Sequence, residues 1–190
     1  MPAIQIVLYI VLGLALVVST VTDLRSRLIY DVVTYPTALI GLALRGAMVG
    51  WKGEGTTAPF GLLPGLWGVL LGYLVFLPWG LFGGMGGGDI KLMAAVGAVL
   101  GFPTIFYAIM FTSLVGGLQA ILVVLWDGSL LKTLANTGRL VAHALRIKRM
   151  TEEQKPKKGV PYGVAISLGT VWAVIWDLTH PIWTSPASAG

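Results

Sequence analysis

The sequence contains no cysteine and few charged side chains. Charged residues make up 11% of its 190 residues and hydrophobic residues 56%, and the mean hydropathy is +0.83. A soluble domain contains about 25% charged residues, so the composition indicates a protein that crosses a membrane several times. The lack of cysteine excludes disulfides, thiol catalysis and cysteine-based zinc or iron–sulfur sites. The two histidines, His143 and His180, lie far apart along the chain, so we predict no metal site.

Six apolar segments approach or exceed the length of a membrane-spanning helix, which is roughly 20 residues. They predict an all-α fold, a single domain over residues 1–190 built as a bundle of six transmembrane helices. The predicted spans are 4–21, 32–49, 58–79, 90–101, 104–126 and 160–177. The fourth is short, but Gly101-Phe102-Pro103 predicts a tight turn after it. The first lacks a basic flank and a cleavage site, so we expect a retained helix, not a secretory signal.

Lysine and arginine are distributed unevenly over the connections between these spans. The first, third and fifth connections contain 11 of the 13 basic residues. Because basic connections stay in the cytoplasm, both termini are predicted to lie outside. The fifth connection has apolar residues at helical spacing and basic residues on other faces, which predicts an amphipathic helix over about 129–150 at the cytoplasmic interface. The net charge of +5 therefore indicates topology and contact with anionic lipids, and not nucleic acid.

Acidic side chains near a bilayer are costly, so each of the eight needs an explanation. Asp31 precedes the second span and is predicted to cap its N-terminus. Asp177 ends the last span, where a cap or an interface residue is expected. Arg45, near the far end of the second span, is expected to extend its side chain to the interface. Asp23 and Asp89 have no such simple explanation.

Asp23 ends the first span and Asp89 begins the fourth, at the same predicted depth on the cytoplasmic side. Asp89 follows the run Gly83-Gly84-Met85-Gly86-Gly87-Gly88, where the backbone can approach closely. The run could also be a flexible turn that Asp89 merely caps. Two close carboxylates in a poorly solvated place share one proton, so one can act as acid and the other as base. Such a pair could activate water against a peptide bond.

At these residues the sequence resembles the type IV prepilin peptidase family, also called leader peptidases. Members carry an aspartate followed by a basic stretch and Ile-Pro-Asn/Asp, and later Gly-x-Gly-Asp-x-Lys. Here the first motif reads Asp23-Leu24-Arg25-Ser26-Arg27-Leu28-Ile29-Tyr30-Asp31, and the second reads Gly86-Gly87-Gly88-Asp89-Ile90-Lys91. The last span opens with Pro161-Tyr162-Gly163, which is similar to a Pro-aromatic-Gly start in the family. Tyr30 departs from the pattern, because it replaces the usual proline.

The resemblance implies an aspartic endopeptidase of the bacterial inner membrane, with Asp23 and Asp89 as its catalytic pair and no cofactor. The substrate would be a prepilin, cut between its basic leader and its hydrophobic helix on the cytoplasmic face. The implied substrate-binding residues are Gly86, Gly88 and Lys91; the glycines would admit the extended substrate, and Lys91 would bias the ionisation of Asp89 or hold a lipid phosphate. Long members carry a cysteine-bearing insertion and also methylate the new N-terminus. This chain has no cysteine and a short first connection, so it resembles the protease-only type that processes Flp/Tad-type pilins.

Two other classes of function stay open. A small channel or carrier could use Asp23 and Asp89 to bind a cation or relay protons, but it needs polar residues through the midplane and the spans supply few. A non-catalytic scaffold could use the glycines for close helix packing. Among enzymes, presenilin-like proteases share Gly-x-Gly-Asp, but this chain is short for them. Ion uptake that depends on the aspartates would favour transport.

Overall fold

The computed structural model describes residues 3–52, 60–81, 85–126 and 162–180. These residues form six α-helices. They are α1 (Ala3–Ser26), α2 (Asp31–Val49), α3 (Leu62–Leu81), α4 (Gly87–Leu100), α5 (Thr104–Trp126) and α6 (Tyr162–Thr179). The predicted all-helical bundle is confirmed, and each predicted span coincides with one helix to within a few residues. The predicted amphipathic helix over 129–150 lies outside the described residues.

Helix α4 differs from the other five, which are each long and apolar enough to cross a membrane. Its 14 residues extend about 21 Å at 1.5 Å per residue, less than the thickness of the hydrocarbon core. It can be short because it lies in the middle of the bundle, where Leu92, Met93, Val96 and Val99 are almost completely buried. Its C-terminal residue Leu100 is likewise buried, whereas Gly86 and Gly87 at its start are exposed.

Small residues allow α3 to pack closely on α4. A Cβ atom on Gly68 would overlap the backbone of Gly97, and a Cβ on Gly97 would overlap the backbone of Gly68. One turn further along, Gly72 lies against the backbone of Met93 in the same way. Without a hydrophobic driving force between helices in lipid, such backbone approach is a main source of helix association. The α3–α4 pair is thereby fixed.

The loop between α4 and α5 is the tight turn that the sequence predicts. Helix α4 ends at Leu100, and Gly101 follows with φ of +69°. Its N–H donates to the carbonyl oxygen of Gly97 at 2.8 Å, which satisfies one of the unpaired carbonyl groups at the helix end. A residue with a side chain rarely adopts this conformation, so glycine is needed here.

The helices alternate in direction, so their termini collect at two ends of the bundle. At the Asp23 end, where α1 stops, the backbone N–H of Gly163 on α6 donates to Asp23 at 2.8 Å, and Gly88 of α4 lies against Ile29 before α2. At the opposite end, called the Asp177 end, Asp177 of α6 meets the start of α1 and the start of α5. This grouping is the one that six alternating spans require.

Three sequence-based expectations about single residues are wrong. Tyr30, not Asp31, is the N-cap of α2, and it makes no side-chain capping bond; the carboxylate of Asp31 instead binds Lys91. Arg45 does not extend to the interface, because its side chain is fully buried and donates to the carbonyl oxygens of Val99 and Gly61. Asp177 is likewise no interface residue, since it is buried among hydrogen-bond donors.

Candidate active site

Asp23 lies in the last turn of α1, and its side chain is only 5% exposed. Its carboxylate accepts a hydrogen bond of 2.8 Å from the backbone N–H of Gly163, the second residue of α6. The N–H groups of the first turn of a helix have no partner within the helix, and they suit a negative charge. A Cβ on Gly163 would lie 2.7 Å from the carboxylate oxygen of Asp23, so glycine is what lets the carboxylate reach this position.

Asp89 lies in the first turn of α4 and is half-buried. Its carboxylate accepts a hydrogen bond of 3.2 Å from the backbone N–H of Gly86, and its own N–H donates to the carbonyl oxygen of Gly86 at 3.1 Å. The carboxylate therefore satisfies an unpaired donor at the start of the helix, and it lies at the positive end of the helix dipole. These contacts fix where Asp89 stands but occupy only one of its acceptor positions.

The structure brings these two aspartates together at one end of the bundle. Asp23 is joined to the first turn of α6 by the N–H of Gly163, and Gly88, the residue before Asp89, packs against Ile29, which follows α1. Three helices that are distant in sequence, α1, α4 and α6, thus meet at one place. Within the described part of the chain, each carboxylate accepts a single hydrogen bond, from a backbone N–H. Both keep acceptor positions for water or for a proton.

The glycines predicted to admit substrate have other contacts in the structure. A Cβ on Gly88 would lie 3.0 Å from the Cβ and the carbonyl oxygen of Ile29, and a Cβ on Gly86 would lie 3.1 Å from the carboxylate of Asp89. Gly88 therefore lets the connection before α2 pack on the start of α4. Gly86 lets the backbone turn into the helix beside Asp89. Their predicted role in substrate binding remains a prediction.

Lys91 does not join the two carboxylates. Its ammonium group forms a bidentate contact with Asp31, at 2.7 and 2.8 Å, and lies 5.2 Å from the centre of the Tyr35 ring. The ion pair connects α4 to α2 on the outside of the bundle. Lys91 therefore holds the start of α4 against the start of α2, two residues along the chain from Asp89.

No three potential metal ligands come together among the residues that the structure describes.

Comparison with known proteins identifies the family. The model of the type IV leader peptidase family matches residues 10–121, which is more than half of the chain and includes Asp23 and Asp89. This chain belongs to the type IV leader peptidase family. A curated relative is the protein named prepilin leader peptidase/N-methyltransferase of Xanthomonas campestris pv. campestris, which is 38% identical over 114 residues. That match covers 56% of this chain but only 37% of the relative. No solved structure matches the chain.

The sequence indicated Tyr162 and Gly163 only as part of the start of the last span, without a role in the site. Both lie beyond the part of the chain that the leader peptidase family model matches, and the contact of Gly163 with Asp23 appears only when α6 is packed against α1. The signal that was present is the Pro161-Tyr162-Gly163 start of the last span. A glycine in the first turn of a transmembrane helix indicates that something approaches its backbone closely.

Proposed function

We propose that this chain is an aspartic endopeptidase that removes the basic leader of type IV prepilins, with Asp23 and Asp89 as its catalytic pair. The observation that supports this most strongly is that both carboxylates lie at one end of the bundle, where α1, α4 and α6 pack together. Membership of the leader peptidase family supports the reaction class, and the relative from Xanthomonas carries that activity in its name. The aspartic mechanism is our assignment from the chemistry of the site.

The pair would work by sharing one proton. The ionised carboxylate takes a proton from a bound water, and the water oxygen attacks the carbonyl carbon of the peptide bond. The protonated carboxyl donates its proton to the carbonyl oxygen at the same time, which avoids a free oxyanion. The resulting diol collapses as the C–N bond breaks: the leaving nitrogen takes the proton that came from water, and one hydroxyl of the diol returns its proton to the other carboxylate as the carboxyl product forms. The two aspartates then hold one proton between them again, and the apparent pKa values of such a pair belong to both residues together.

We infer the side of the membrane from the charges of the chain, and the substrate from its short first connection and its lack of cysteine. The basic connections favour a cytoplasmic location for the Asp23 end, which is the end where the helix alternation collects both aspartates. We assign the chain to the bacterial inner membrane on the family membership. The short first connection and the lack of cysteine favour Flp-like prepilins as substrates and peptidase activity without the methyl transfer in the name of the relative.

Co-expression with an Flp-type prepilin tests the proposal, with leader removal scored by the shift in electrophoretic mobility. We expect Asp23→Asn and Asp89→Asn each to abolish cleavage while the protein remains in the membrane. Asp177→Asn is the matched control, because it removes a buried carboxylate charge from α6 at the opposite end of the bundle, and it should cleave within a few-fold of the wild-type rate. Normal cleavage by either of the first two variants contradicts the proposal.

A further inference from the structure

A half-open cavity of about 330 Å³ lies between α3 and α5. Helix α3 packs mainly on α4 and α5 mainly on α6, so α3 and α5 touch each other little and leave a groove between them. Val75, Phe76 and Trp79 line the α3 side. The α5 side is lined by small residues, among them Gly116, Gly117 and Ala120. We call this space the α3–α5 groove.

The α3–α5 groove leads to the candidate active site. Its α3 residues lie in the last turns of that helix, next to the glycine run that precedes Asp89, and Met85 of that run lines the groove. Tyr162 lines it as well. Tyr162 precedes Gly163, whose N–H binds Asp23, and Met85 precedes Gly86, whose N–H binds Asp89. The groove and the two carboxylates therefore share one boundary, at the Asp23 end of the bundle.

The other sides of the aspartate pair are closed within the described part of the chain. The contact of Gly163 with Asp23 joins α6 to α1. The contact of Gly88 with Ile29 joins α4 to the connection before α2, and the Lys91–Asp31 ion pair fastens the same connection from outside. Among the described residues, the α3–α5 side is therefore the side on which the structure leaves a groove next to the pair.

The chemistry of the groove suits an apolar helix. Ser113 donates its hydroxyl to the carbonyl oxygen of Ile109 at 2.8 Å, so it demands no partner from a ligand. Gly117 faces open space, with no atom within 4 Å of a Cβ built on it. Ser113 and Gly117 line the groove and are four residues apart, and small residues at this spacing let a second helix approach closely in lipid. A cavity of about 150 Å³ holds one benzene ring, so this groove can take about two large apolar side chains while the rest of the helix stays in lipid.

We propose that the α3–α5 groove binds the first turns of the hydrophobic helix of the substrate, which enters sideways from the lipid. This inference rests on the proposed function, because a prepilin carries its cleavage bond directly before such a helix. With the helix in the groove, the bond before it lies at the boundary formed by Met85 and Tyr162, within reach of Asp23 and Asp89. The groove then selects substrates by an apolar helix, and the aspartates cut next to it.

The natural lack of cysteine makes a direct test possible, because a single introduced cysteine is the sole thiol in the enzyme. Gly117→Cys places it in the groove, and Leu118→Cys places it on the neighbouring position of α5, where the leucine is 59% exposed to the surroundings of the bundle. Both are made in the Asp89→Asn background, and a prepilin carries one cysteine in the first turns of its hydrophobic helix. We expect a disulfide cross-link with Gly117→Cys and little with Leu118→Cys. Equal cross-linking, or cross-links only between two copies of the enzyme, overturns the inference.

A second measurement separates this inference from the proposed function. Gly117→Phe fills the groove in a direction where no neighbour stands, and we expect it to raise the KM for prepilin at least about tenfold, while Leu118→Phe leaves KM unchanged. If the wild type cleaves prepilin and Gly117→Phe has an unchanged KM, substrate binding in the α3–α5 groove is wrong and the proposed peptidase activity stands. If Gly117→Cys forms the cross-link but the wild type does not cleave, the peptidase activity is wrong and binding in the groove stands.

Discussion

The two ends of the α1–α6 pair each bury an aspartate, but they surround it differently. Asp177, 1% exposed, accepts hydrogen bonds from the hydroxyl of Tyr9, from the hydroxyl of Thr104 at 3.3 Å and from the amide of Gln5 at 3.4 Å. Asp23, 5% exposed, accepts one bond from a backbone N–H, and it lies at the same end of the bundle as a second acid, Asp89. The carboxylate of Asp177 has three side-chain donors, and that of Asp23 has one backbone donor among the described residues.

This difference separates a structural carboxylate from a reactive one. Hydrogen bonds to a buried charged group contribute more than neutral ones, so the donors around Asp177 tie α1, α5 and α6 together. Arg45 strengthens the same end, because its guanidinium donates to the carbonyl oxygens of Val99 at 2.6 Å and of Gly61 at 3.2 Å. Asp23 and Asp89 have no comparable set of donors among the described residues. Free acceptor positions and shared protons are what acid–base chemistry requires.

The largest expected effect is on the chemistry of the pair. If Asp23 and Asp89 act as a unit, Asp23→Asn and Asp89→Asn should each lower the cleavage rate at least about 10³-fold, and the double variant should be no worse than either single one, because residues of one catalytic unit are strongly non-additive. Rates are measured on purified protein in detergent with a prepilin substrate. Multiplicative losses in the double variant would mean that the two aspartates act independently.

The next effect concerns the backbone contact of Asp23. Gly163→Ala places a Cβ about 2.7 Å from the carboxylate oxygen, so Asp23 must move away from the N–H that holds it. We expect cleavage to fall about 10- to 100-fold, since small displacements at a reacting centre cost that much, with the protein still folded. Gly13→Ala on α1, where a Cβ meets nothing within 4 Å, is the control and should cleave normally. An unaffected Gly163→Ala enzyme would remove the backbone contact from the mechanism.

At the Asp177 end the expected effect is on stability. Asp177→Ala leaves the buried donors of Tyr9, Gln5 and Thr104 without their acceptor, which costs about 1–3 kcal/mol for an unsatisfied group. For a chain of this length we expect the midpoint of thermal unfolding in detergent to fall by about 3–10 °C, while cleavage per folded molecule stays near the wild-type value. Asp177→Asn keeps an acceptor and should lose less. A variant with full stability and no activity would place Asp177 in the catalytic machinery.

The helices were predictable because their signal is local. Apolar runs and the Gly101-Phe102-Pro103 turn predicted the six spans, including the short α4, and the alternation of six spans predicted which helix ends lie together. The interior of the bundle was not predictable in the same way. Arg45 and Asp177 look like interface residues along the chain, and only the packing of α1, α4 and α5 around them buries their charges.

The candidate site shows the same division. The two aspartates could be selected from the sequence because no cap or loop explains Asp23, and because Asp89 follows a glycine run. The partners could not be selected, since they come from contacts between distant segments. Gly163 is 140 residues from Asp23 along the chain. No local pattern around Gly88 or Ile29 indicates that these two residues pack together. Pairing between helices carries no local pattern in a chain with so few charges.

Replacement of Lys91 has the smallest expected effect, and it tests whether this residue belongs to the active site. The Lys91–Asp31 pair is exposed on the outside of the bundle, and exposed ion pairs are weak because solvent and salt screen them. We therefore expect Lys91→Ala to lower cleavage by no more than about fivefold, with Lys91→Arg restoring it, since arginine can also bind Asp31 in a bidentate manner. Lys52→Ala, which removes a cation after the end of α2, is the control for net charge. A loss as large as that of Asp89→Asn, with no rescue by arginine, would move Lys91 from a residue that positions α2 on α4 to one that acts on the substrate.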